Sequence, residues 1–226
     1  MQDFRIYAIH DHALTVEFSQ KISEQDNLRV MALRSAIQQN PINGLLDIVP
    51  AYSSLTIYFD GNCEREEVMA YLKERILASL ELQHEPSENR IITIPVCYDR
   101  SLGPDQEFVC DHLVLTREQL IEKHTGNVFR VYMIGFIPGF PYMGILPEGW
   151  QIPRKQTPAL KIPIGSVALA GQQTGIYPAE VPGGWQVIGR TPLKIFDALR
   201  EPSCLLKAGD QVKFASISLN EFNSLS

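Results

Sequence analysis

The chain has 226 residues, 45% of them hydrophobic and 20% charged, with a formal net charge of −6. This length suits two domains of about 100 residues, each able to bury its own core. The acidic balance argues against a nucleic-acid partner, because neutralising phosphates needs a basic surface. No apolar run approaches the roughly 20 residues that span a bilayer, and the first residues, MQDFRIYAIHDH, lack the basic and apolar regions of a signal peptide. A cytoplasmic protein with no membrane partner is expected. The four cysteines, Cys63, Cys97, Cys110 and Cys204, are scattered without a C-x-x-C pair. They are expected as free thiols, with no metal site.

In chain order, Phe4–Ile9 and Ala13–Phe18 suggest two strands around an Asp11-His12 turn. His10, Asp11 and His12 offer two imidazoles and a carboxylate in one loop, too few ligands for a metal without a third and fourth from elsewhere. The spacing of Leu28, Met31, Leu33 and Ile37 predicts a helix over Ser23–Asn40, stopped at Asn40-Pro41. Leu45–Val49 and Leu55–Phe59 are the next strands. Val68, Leu72, Ile76 and Leu80 then recur every four residues along a helix over Glu64–Gln83, with Glu64, Glu66 and Glu67 at its positive end. The polar segment His84–Arg90 is expected to link the domains. Residues 1–84 therefore form a β-β-α-β-β-α unit, a small α+β sandwich.

From residue 91 the pattern changes. Ile91–Tyr98 is a strand, and Thr116 with Gln119 three residues on has the spacing of a capping box for a helix reaching His124. His124 near that helix end is expected to meet the last-turn carbonyls, with a general base as the alternative. Beyond it, glycine and proline separate short strand-like runs: Val128–Ile134, Ser166–Ala170, Trp185–Ile188, Leu193–Phe196 and Gln211–Ser216. Such spacing predicts a β-barrel or sandwich over residues 91–226. P-loop, dinucleotide-binding, zinc-protease and nucleophile-elbow patterns are all missing.

The chemistry-bearing residues gather between Gly135 and Pro192. Gly135–Gly144 holds three glycines and two prolines, a composition expected to exclude regular helix or strand and to make a stiff loop carrying Phe140 and Tyr142. The alternative for these rings is a packed barrel corner. Gly171–Pro178 offers Gln173, Thr174 and Tyr177 as neutral hydrogen-bonding groups. Gly183-Gly184 brings bare backbone N–H groups beside Trp185, which suits a carboxylate, amide or phosphate; a tight hairpin with the indole in the core is the alternative. Arg190 stands at a strand end where it can clamp an anion with two nitrogens or form a surface ion pair. Arg154 and Lys155 add positive charge. Together these predict a small anionic or amide ligand.

Read in order, Gly135–Gly144, Ile162–Val167, Gly171–Pro178, Pro182–Trp185, Gly189–Pro192 and Gly209–Phe214 resemble the allophanate hydrolase subunit 1 family, and Val49–Leu55 is similar to it too. That family includes the PxpB component of 5-oxoprolinase and the KipI inhibitor of a histidine kinase. The resemblance implies a small N-terminal α/β sandwich domain over residues 1–84 and a C-terminal cyclophilin-like β-barrel over 91–226. The fold implies no prolyl isomerase activity. The resemblance also implies an ATP-dependent 5-oxoprolinase that opens 5-oxoproline to glutamate. This chain would be the component of PxpB type, inactive alone, working with a second cyclophilin-like subunit of PxpC type and a lactam-hydrolase subunit of PxpA type. ATP with magnesium would serve the complex, without a tightly bound cofactor. On this reading Arg190 and Gln173 are the catalytic candidates. Phe140, Tyr142, Arg154, Thr174, Tyr177, Gly183, Gly184 and Trp185 bind substrate. The alternatives are an inhibitor gripping a histidine kinase through Phe140, Tyr142 and Trp185, and a component of an allophanate- or urea-like amidohydrolase. The chain departs from the family pattern at Ser101 (usually glutamate), Ala159 (usually arginine), Ile164 (usually alanine) and Val181 (usually serine or threonine).

Overall fold

A computed structural model describes residues 4–81 and 91–225. The expected linker His84–Arg90 lies outside them. Two compact units emerge, Met1–Glu88 and Asn89–Ser226.

In the first unit, β1 (Arg5–His10), β2 (Ala13–Glu17), β3 (Leu45–Pro50) and β4 (Ser54–Phe59) form an antiparallel sheet in the order β1-β2-β4-β3. Helices α1 (Glu24–Gln39) and α2 (Arg65–Glu81) complete the β-β-α-β-β-α order. Leu14, Val16, Leu55, Ile57 and Phe59 alternate onto one face of the sheet. They pack against Val30, Leu33 and Ile37 of α1 and Val68, Leu72 and Ile76 of α2. The apolar face of α1 differs in part from expectation. Val30 and Ala36 are buried beside Leu33 and Ile37, whereas Leu28 and Met31 flank the stripe half-buried. Ser23 caps α1 by accepting from the Asp26 N–H.

Asn27 is a polar residue in this core. It is fully buried, and its side-chain amide donates to Ala51 O at 3.2 Å and Tyr52 O at 3.1 Å. It thereby holds the β3–β4 turn against α1. Asn27→Ala is expected to destabilise this unit by about 2 kcal/mol, because two carbonyls lose their donors. Thermal denaturation followed by circular dichroism measures the loss.

The second unit is a closed barrel in the order β10-β7-β6-β13-β5-β12-β9. Its strands are β5 (Ile91–Cys97), β6 (Val128–Ile134), β7 (Pro141–Gly144), β9 (Ser166–Ala170), β10 (Gln173–Ile176), β12 (Gln186–Arg190) and β13 (Gln211–Ile217). Two short strands, β8 (Ala159–Ile162) and β11 (Val181–Gly183), make a separate ribbon. Strands β5 and β13 run parallel, with Ile91 opposite Gln211. Helices α3 (Gln106–Leu113), α4 (Arg117–Gly126) and α5 (Leu219–Leu225) accompany the barrel. The capping box at Thr116 and Gln119 is present. Val96, Val131, Met143, Val167, Leu169, Ile188 and Phe214 fill the interior.

Three expectations for this half are corrected. Leu193–Phe196 is not a strand, and only Phe196 makes an isolated bridge, to Cys204. The glycine- and proline-rich run contains a strand after all: β7 starts on Pro141, a first position where a missing N–H costs little. His124 turns into the barrel rather than toward the helix-end carbonyls. It is fully buried, with Nδ1 2.7 Å from the Tyr98 hydroxyl and Nε2 3.1 Å from Thr174 Oγ1. Burial lowers its pKa to about 3.

Candidate functional site

Strand β9, Ser-Val-Ala-Leu-Ala, is buried on both faces. Val167 and Leu169 enter the barrel core. Ala168 and Ala170 face outward, and their small size leaves room for an aromatic block of Phe140, Tyr177 and Trp185 with Tyr142 beside it. Phe140 is central, with ring centroids 4.9 Å from Tyr142, 5.1 Å from Tyr177 and 5.5 Å from Trp185, all edge-on. Two glycines are required by this packing. A Cβ on Gly175 would lie 2.7 Å from the Phe140 ring, and one on Gly183 would lie 2.4 Å from the Tyr177 hydroxyl. Burial dominates over a backbone hydrogen bond from Trp185 and pushes the Tyr177 phenol up to about 12.

Beside the block is a cleft of about 130 Å³. Ala159, Ile162 and Val187 belong to both. Asp105, Lys155, Lys161 and Arg190 bring charge into its lining, and Ser101 and Ser166 bring hydroxyls. Asp105 organises one wall. Its backbone N–H donates to Val187 O at 3.0 Å, and its Oδ2 accepts from the Val187 N–H at 2.7 Å. Its Oδ1 pairs with Lys155 Nζ, and both side chains are largely buried. Beneath it Gln106 is buried and donates to Tyr98 O and Ile188 O, while Arg117 donates to the Gln106 amide oxygen. Asp99 accepts from the hydroxyl and backbone N–H of Ser101, and these bonds hold its carboxyl below the usual range.

The opposite wall is Arg190, the last residue of β12, opposite Ser166 at the start of β9. Its Nε donates to Ile164 O at 2.6 Å, which fixes the plane of the guanidinium. Among the described residues it forms no ion pair. Lys161 pairs with Glu180 at 3.0 Å on the exposed rim. A partly enclosed site with cationic and hydroxyl donors and an apolar floor suits a small anion.

The ten candidates from the sequence divide among different places. Arg190 lines the cleft. Phe140, Tyr177 and Trp185 are buried in the packed block behind it, with Tyr142 half-buried beside them; the exposed aromatic of that motif is Phe136, 61% exposed. Gly183 admits Tyr177, and Gly184 accepts from the Lys155 N–H through its carbonyl. Arg154 is exposed one residue before Lys155. Thr174 is fully buried and bonded to His124. Gln173 is not brought to Arg190: it pairs with Ala170, at the other end of β9 from Ser166. Four residues of strand, roughly 13 Å, separate the two positions. Asp105, and Lys155 as its ion-pair partner, escape sequence reasoning; the only signal is an acid directly after Gly103-Pro104. Of the departures from the family pattern, Ser101 and Ala159 both line the cleft, and Ile164 supplies the carbonyl that holds Arg190. Val181 lies across the ribbon from Ile162. Among the described residues, no three of His, Cys, Asp or Glu are grouped to hold a metal, and no helix is long and apolar enough to cross a membrane.

A family model described as carboxyltransferase domain, subdomain C and D, matches residues 4–206. The B component of 5-oxoprolinase from Bacillus subtilis is 39% identical, covering 98% of this chain and 96% of that protein. Its namesake in Escherichia coli O157:H7 is 36% identical, covering 95% and 96%. Among solved structures, TTHA0988 superposes with a TM-score of 0.80 at 36% identity over 91% of this chain; the chain spans only 40% of that longer protein. With the match running from the first sheet through every barrel strand except β13, the chain belongs to the carboxyltransferase-domain family of subdomains C and D.

Proposed function

We infer that this protein is the B component of an ATP-dependent 5-oxoprolinase, acting with partner subunits to hydrolyse 5-oxoproline to glutamate. The observation that carries this reading is identity of 36% to 39%, over nearly the whole of both chains, to proteins named as that component. The cleft is consistent with it. A lactam is an unactivated amide; ATP, when bound to the complex with magnesium, supplies the phosphoryl group that activates its carbonyl. Arg190, whose guanidinium has no carboxylate partner among the described residues, offers positive charge to an anionic group in a partly desolvated site, where such charge acts most strongly. The described residues of the chain supply no metal cluster. Partners are therefore assigned the remaining chemistry: a second subunit of cyclophilin-like fold and a lactam-hydrolase subunit. The setting proposed is the cytoplasm, where ATP is available.

Co-expression and co-purification with the two partner subunits tests this. The complex is expected to release glutamate from 5-oxoproline with stoichiometric ATP consumption, and this chain alone is expected to release none. An assembled complex that consumes no ATP in the presence of 5-oxoproline would sink the reading.

A further inference from the structure

We propose that the Asp105–Lys155–Arg190 cleft is a monocarboxylate subsite, which takes the acid group of the lactam substrate and rejects the polyphosphate of the nucleotide. This rests on the functional reading above and specifies which of the two substrates this chain holds at that place.

The argument is one of charge and size. Three cations line the cleft, yet two of them are already matched. Lys155 is paired with Asp105 and Lys161 with Glu180. Among the described residues, Arg190 is the cleft cation without a carboxylate partner. One uncompensated positive charge matches one negative charge. A triphosphate brings several, and it would meet the Asp105 carboxylate, which the Val187 N–H and Lys155 hold in the wall. Geometry agrees. With Nε committed to Ile164 O, the guanidinium keeps its two terminal nitrogens for a carboxylate, the fork arrangement that arginine forms best. The volume, about 130 Å³, is well below the roughly 300–1,000 Å³ of sites for larger ligands. It suits a five-membered ring acid and is too small for a whole nucleotide. The apolar floor of Ala159, Ile162 and Val187 suits the ring methylenes.

Steady-state kinetics of the assembled complex, with each substrate varied in turn, tests the assignment. Arg190→Ala is expected to raise KM for 5-oxoproline at least tenfold while KM for ATP stays within twofold. Arg190→Lys, which keeps the charge and loses the fork, is expected to fall between. Asp105→Asn keeps an acceptor for the Val187 N–H but removes the negative charge. It is expected to make inorganic pyrophosphate at least fivefold more inhibitory, in competition with 5-oxoproline. The proposal is overturned if Arg190→Ala raises KM for ATP instead, or changes neither KM. If the wild-type complex shows no turnover, the functional reading fails on its own. Calorimetric titration of the full chain with 5-oxoproline and with ATP then decides the subsite. Binding of 5-oxoproline that is lost in Arg190→Ala and weakened in Arg190→Lys upholds it. Binding of ATP at the same residue, or of neither ligand, overturns it.

Discussion

Gly165→Ala is expected to destabilise the barrel unit by about 3 kcal/mol or more and to weaken the cleft at the same time. Gly165 has φ +82, a conformation that strains residues carrying a Cβ by roughly 1–2 kcal/mol. An added Cβ would also lie 2.4 Å from Thr191 O, a backbone atom that cannot rotate away. The same residue is tied on both sides: its N–H donates to Tyr177 O and its carbonyl accepts from the Thr191 N–H. It sits between Ile164, whose carbonyl holds Arg190, and Ser166 in the cleft wall. Movement to relieve the clash therefore displaces Arg190's anchor. Gly171→Ala separates strain from clash, since Gly171 has φ +58 with open space around its Cβ position. Its cost is expected near ~1 kcal/mol, with substrate KM unchanged. Both tryptophans, Trp150 and Trp185, are buried in the barrel unit, so urea unfolding followed by tryptophan fluorescence reads this unit alone. Equal losses for the two variants would refute the backbone clash as the cause.

The two halves of the chain differ in how plainly their sequences announce the fold. In the first unit local pattern and tertiary structure agree. Alternation in Ala13–Glu17 and Ser54–Phe59, and the four-residue recurrence of Val68, Leu72 and Ile76, each coincide with an observed element. The α1 stripe is displaced by one helical flank because Asn27, a polar residue, occupies a core position there. In the barrel, long-range packing overrides local preference. Gly175 lies within β10 because Phe140 needs its missing side chain. A glycine there signals a turn to any local reading, and the reason for it is far away in the sequence. Helix α3 is hidden for a related cause. It is eight residues long and holds its place through Asp105 and Gln106, whose partners lie on β12 and in the residue that follows β5.

The site divides in the same way. Arg190 is recognisable because a strand-end arginine followed by Thr-Pro is a local feature. The aromatic residues are recognisable as a group, but their role is ambiguous between packing and recognition. Phe140, at 1% exposure, is in the packed block. Asp105 and Lys155 could not be paired from sequence, since 50 residues separate them and neither belongs to a motif with its own mechanism. Gln173 and Arg190 look like partners because both lie in the glycine-rich half. Barrel register, which only strand pairing determines, sends them to opposite ends of β9. The cleft gathers residues from the loop before α3, the segment before β8, and the facing ends of β9 and β12. This explains why the cleft's lining residues, near in space, are spread from 101 to 190.

Acidification is expected to weaken the barrel unit well above the pH at which carboxylates titrate, through His124. In the native barrel its ring stacks on Phe214 at 4.5 Å and bridges the Tyr98 and Thr174 hydroxyls with no exposure to water. Charging it there is costly, and its pKa is lowered to about 3. In the unfolded chain it returns to about 6.5. Between these values the unfolded state binds one more proton than the native state. Stability is therefore full above about pH 6.5 and is lost as pH falls toward about 3, by up to about 1.4 kcal/mol per unit. Of the barrel carboxyls that native contacts hold low, Asp99, Glu118 and Glu221 add losses of the same sign only nearer about pH 4. The window from about 6.5 to about 4.5 therefore belongs to His124, and about 2.5 kcal/mol should disappear across it. His124→Gln keeps a neutral donor and acceptor in the network. That variant is expected to be less stable at neutral pH, by about 2 kcal/mol for imperfect hydrogen bonds and a lost ring stack, and to show a flat profile over the same window. Urea midpoints by tryptophan fluorescence at closely spaced pH values measure both. A wild-type profile as flat as the variant's would mean that the imidazole is hydrated, or already charged, inside the barrel. The Tyr98–His124–Thr174 bridge would then not be the neutral strut that this geometry requires.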